Sequence, residues 1–111
     1  MIETQHRFRL EDMRDYARKA IEVSQDATAD PELRNFALQR LISIVGEAAS
    51  KVPESVRALA PELKWRMIVG MRNVLVHDYA GSRKDIVERV VRDDLPVLIE
   101  ILDRLLAEPR P

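Results

Sequence analysis

Apolar residues return at steps of three and four along the chain, the period of helices that bury one face. Leu10, Met13, Ala17, Ala20, Ile21 and Ser24 predict a first helix from about His6 to Gln25. The polar stretch Asp26–Asp30 breaks the pattern, and Asp30 before Pro31 reads as a cap followed by the first helical position. A second helix runs from Pro31 to about Val52, where Pro53 stops it; its stripe is Ala37, Leu38, Leu41, Ile44, Val45, Ala48 and Val52. Gly46, Ala48, Ala49 and Ser50 make its second half narrow, which lets another helix come close. Between Pro53 and Pro61 a short helical piece is expected, with Val56 and Leu59 pointing inward.

The third main helix is expected from about Lys64 to Tyr79–Gly81, with Trp65, Ile68, Arg72, Leu75, Val76 and Tyr79 recurring. Gly81 suits a left-handed helix end, and Ser82 followed by Asp85 resembles a capping box for a last helix. That helix carries Ile86, Val87, Val90, Val91, Leu95, Leu98, Ile99, Leu102 and Leu105. Pro96 falls inside the pattern and predicts a kink or restart near Asp93–Asp94. The sum is an all-α protein, an up-and-down bundle of four to five helices. The last stripe is wide enough either to serve a homodimer interface or to mark the central helix of the bundle.

Composition narrows the class. The 111 residues fit one domain, and the absence of Cys removes disulfides, thiolate metal sites and cysteine nucleophiles together. No apolar run approaches the roughly 20 residues that cross a membrane. A cytoplasmic protein with no membrane role is the expectation. Charge is balanced, 18 Lys+Arg against 19 Asp+Glu, which argues against a broad nucleic-acid-coating surface but leaves room for a local phosphate site.

One segment concentrates chemistry, residues 70–81. It holds a permanent cation, an amide, an imidazole and a phenol within eight residues: Arg72, Asn73, His77 and Tyr79. His77 can exchange a proton near neutral pH, and Arg72 can hold a phosphodiester through two hydrogen bonds. At roughly 100° per residue, Asn73 and His77 share a face, whereas Arg72 and His77 stand about 140° apart. A single regular helix does not aim both at one phosphate, so the spacing favours a site completed by distortion, across a cleft or across a two-fold interface. By spacing alone, a helix-capping or buried His77 is favoured over a catalytic one. For Glu47 an ion pair with a nearby Arg is expected.

The segment reads R-N-x(3)-H-x-Y, and it resembles the signature of the HepT-like members of the HEPN ribonuclease superfamily. Ile44-Val-Gly-Glu-Ala-Ala49, the approach Trp65–Met71 and Asp94-Leu-Pro-x-Leu98 resemble that family's flanking segments, in order, over about Leu10 to Leu105. Lys64 stands where Pro is common before the Trp, and Arg83 and Glu88 depart beyond the Tyr. The resemblance implies a single HEPN-like domain over residues 1–111, with frayed ends at about 1–5 and 108–111. It implies a metal-independent endoribonuclease without cofactor, the toxin of a toxin–antitoxin pair acting on RNA as a homodimer. Arg72 and His77 would be catalytic, with Asn73 binding phosphate or orienting His77. Tyr79 would accept AMP from a partner nucleotidyltransferase of the MNT type. The alternatives are a non-catalytic nucleotide-binding or adaptor partner of such an enzyme, and a helical dimerisation module.

Overall fold

The computed structural model describes residues 2–74 and 84–107. They form helices α1 (Thr4–Ser24), α2 (Pro31–Ser50), α3 (Glu54–Arg57), α4 (Trp65–Val74), α5 (Lys84–Arg89) and α6 (Leu95–Leu106), with no strand among the described residues. The architecture is the expected all-α bundle. Helix α1 begins two residues earlier than His6, and Ile2 ahead of it is buried, so the chain is tied down where fraying was expected. Leu10, Met13, Ala17 and Ala20 supply its inner stripe as anticipated.

Arg7 also points inward, which the apolar pattern could not reveal. Its Nη2 donates to the Leu106 carbonyl at 2.9 Å, satisfying an end-of-helix acceptor where the α6 dipole is negative. Arg18 grips both oxygens of Asp103 at 2.9 and 2.8 Å, so α1 and α6 are clasped antiparallel.

Asp30 caps α2 as read: its Oδ2 accepts from the Leu33 amide at 3.0 Å, with Pro31 in the first turn. The buried face of α2 differs from the expected stripe. Ala37, Leu41 and Ile44 are only partly buried, while Ile42, Ser43, Gly46 and Ala49 are inside. The reason is that α2 lies between α1 and α4 and buries a wider arc than one stripe. Leu59 is a correction: it is 50% exposed. The chain leaves α3 at Ala58, and tight turns bring Ala60 inside instead, where its carbonyl accepts from the Trp65 indole at 3.0 Å.

Residues 84–106 are helical throughout, and Pro96 is absorbed rather than breaking them. Val90–Asp94 form a π-helical turn in which the Leu95 amide reaches back to the Val90 carbonyl. Widening the turn just before Pro96 takes up the missing N–H and the ring's bulk, the restart foreseen near Asp93–Asp94. Leu95, Leu98, Ile101, Leu102, Leu105 and Leu106 are all buried within the chain. The wide stripe is therefore taken up within the chain, largely against α1, and gives no argument for a second copy.

Candidate functional site

The site begins at Gly46. A methyl group there would lie 2.8 Å from the Arg72 amide nitrogen and 2.8 Å from the Ile68 carbonyl oxygen. Only the missing side chain lets the α4 backbone sit directly on α2, and this is the close approach that the narrow run predicted. The start of α4 is fixed from the other side. Arg57 donates to the Val52 and Ala49 carbonyls at 2.9 and 3.1 Å, finishing α2, and its guanidinium lies 5.7 Å over the Trp65 ring. Trp65, Ile68 and Met71 then bury the inner face of α4.

Arg72 emerges from this anchored helix next to α2. Its side chain is 38% exposed, and its Nη1 lies 3.4 Å from Glu47 Oε2, while Lys51 stands 3.9 Å from the other carboxylate oxygen. The ion pair expected for Glu47 is therefore made with Arg72 itself. At 3.4 Å it is longer than a strong charge-assisted bond of about 2.7–2.9 Å, so an arriving anion can replace it. Exposed pairs of this kind are worth about 0–1 kcal/mol.

Arg72 and the exposed Asn73 border a shallow depression of about 440 Å³ together with Arg40, Ser43 and Glu47. Arg40, Ser43 and Glu47 were not singled out together from the sequence. The signal was present, since positions 40, 43 and 47 follow the i, i+3, i+7 rule and share one face of α2. His77 and Tyr79, with Leu75, Val76, Gly81 and Ser82, lie outside the described residues. Arg72 and Asn73 are thus brought together at one opening. His6, the other histidine of the chain, stands near the start of α1 with Nε2 3.7 Å from Glu3.

What the fold and this opening define is a helical bundle presenting an anchored arginine, loosely held by one carboxylate, to a solvent-open polar hollow. That is chemistry for an anionic ligand. The chain belongs to the Ribonuclease HepT-like family, whose model matches residues 9–105. It is 36% identical over 63 residues to "Probable ribonuclease HepT" of Thermococcus cleftensis, covering 57% of each chain. It is 30% identical over 91 residues to "Putative RNase MJ1380" of Methanocaldococcus jannaschii, covering 78% of this chain and 84% of that one. A third relative, "Putative RNase TTE0752" of Caldanaerobacter subterraneus, is 29% identical over 86 residues, covering 78% and 76%. No solved structure matches the chain. No helix among the described residues is long and apolar enough to cross a membrane.

Proposed function

We propose that the protein is a metal-independent endoribonuclease in which Arg72 and His77 carry the chemistry. The observation that supports this most is the placing of Arg72: anchored through the Gly46 contact, open to solvent, and restrained only by the long contact to Glu47. RNA brings its own nucleophile, the 2′-OH, so the protein need only move protons and stabilise the phosphorane. His77 takes the proton from the 2′-OH and returns one to the departing 5′ oxygen. Arg72 faces the charge that builds on the phosphate. Asn73, on the rim of the same hollow, binds a phosphate oxygen or orients His77. The about 140° between Arg72 and His77 on a regular helix favours a site completed by a second copy, hence a homodimer.

Family membership supports a further reading: a toxin neutralised by an MNT-type nucleotidyltransferase that attaches AMP to Tyr79. A bulky anionic nucleotide on the face of Arg72 would occupy the phosphate site and repel RNA.

The test is cleavage of a single-stranded RNA in excess EDTA beside DNA of the same sequence. The expected result is cut RNA ending in 2′,3′-cyclic phosphate and intact DNA. A requirement for added divalent metal, or equal cutting of DNA, would overturn the mechanism.

A further inference from the structure

Arg40 is left without a partner that explains it. Among the described residues no carboxylate approaches its guanidinium within 4 Å, unlike that of Arg72 across the opening. Among the described residues its guanidinium makes one hydrogen-bond contact, to Ser43, whose Oγ lies 3.5 Å from Arg40 Nη1. Ser43 is itself unusual: a polar residue only 5% exposed, donating its hydroxyl proton to the Arg40 carbonyl at 2.9 Å. With its proton committed there, the Ser43 oxygen presents lone pairs to the guanidinium. One buried hydroxyl thereby touches both the backbone and the side chain of Arg40, on the wall of the hollow that Arg72 and Asn73 close from α4.

Two guanidinium groups from different helices thus border one opening where, among the described residues, the one carboxylate is Glu47, which Lys51 also approaches. The local excess of positive charge is matched by a polyanion, and the planar forks suit phosphodiester oxygens.

We propose that Arg40 is a second phosphate-binding residue, engaging a backbone phosphate of single-stranded RNA neighbouring the one held by Arg72, with Ser43 as its positioning residue. This rests on the ribonuclease reading above. Arg72 meets charge that grows in the transition state, whereas Arg40 meets charge present in the ground state as well. Losing Arg40 therefore weakens binding without slowing the bound complex.

The experiment pairs two measurements on the full-length wild-type protein, Arg40→Ala, Arg40→Lys, Ser43→Ala, the double variant and Arg18→Ala as a remote charge control. The first is binding of an uncleavable 2′-O-methyl RNA oligonucleotide over a range of salt; the second is steady-state cleavage of ordinary RNA. Arg40→Ala should raise Kd and KM on the order of tenfold and leave kcat within about twofold. It should also flatten the slope of log K against log salt by about 0.7, one single-strand phosphate contact. Arg40→Lys should keep the slope and recover part of the affinity. Ser43→Ala should weaken binding in the wild type and have no added effect in Arg40→Ala, which a merely structural role would not produce. Unchanged Kd and slope in Arg40→Ala, with wild type still cleaving, overturn the proposal and leave the ribonuclease reading standing. So does an equal loss in Arg18→Ala. Wild-type protein that neither binds nor cleaves RNA overturns both.

Discussion

Replacing Gly46 by Ala isolates the contact that sets Arg72 in place. A methyl there meets two backbone atoms at 2.8 Å, against 3.4 Å or more in ordinary contact, so α4 must retreat by about 0.6 Å. Neither atom belongs to a flexible side chain, so the helix has to move as a unit. Overpacking of this kind costs about 1–3 kcal/mol, and the better helix propensity of Ala returns about 1 kcal/mol. The net expectation is a loss of about 1 kcal/mol. Gly70, in the middle of α4, is the internal control, because a methyl there meets nothing within 4 Å. Gly70→Ala should gain about 0.5–1 kcal/mol from propensity alone. The same chemical change thus has opposite signs at two sites, separated by about 2 kcal/mol. Urea unfolding followed by circular dichroism reads it as midpoints shifted in opposite directions at constant slope. A displaced Arg72 should also lower RNA cleavage in Gly46→Ala by on the order of tenfold, since small misplacements in a reacting geometry are costly. If Gly46→Ala proves as stable as Gly70→Ala, the close helix contact is not what holds the site.

Asp30→Ala removes the acceptor of the Leu33 amide and should cost about 1 kcal/mol in the same unfolding assay; an unchanged midpoint would mean that water replaces the cap without loss. Tyr79→Phe lacks the acceptor oxygen for AMP. It should keep most of its cleavage rate and stay active after incubation with a cognate nucleotidyltransferase and ATP, whereas the wild type should be silenced. Mass spectrometry for the added nucleotide checks the same point, and its attachment elsewhere than Tyr79 would contradict the assignment.

The helices were legible because apolar spacing, Asp30–Pro31 and the small-residue run at Gly46 each reflect a local rule. The Gly46 run foretold that a helix comes close to α2, though not that this helix is α4. What escaped was tertiary. Arg7 reads as a surface charge until the end of α6 is brought to it, and the buried arc of α2 widens only because helices lie on two sides. Leu59 faces out and Ala60 in because turn geometry, not helical period, decides orientation beyond Arg57. At the site, Arg72 and Asn73 announced themselves through the signature. Arg40 and Ser43 did not, since a charge and a hydroxyl on a helix are ordinary until the facing helix shows what they border.

The central claim is tested most directly by the single-turnover rate of RNA cleavage in EDTA for wild type, Arg72→Ala and His77→Ala, each checked for an unchanged thermal midpoint. A general acid–base group and a preorganised cation each contribute on the order of a hundredfold or more. Both variants should therefore fold normally and lose at least that factor. Cleavage within about threefold of wild type in a folded His77→Ala protein would contradict the account.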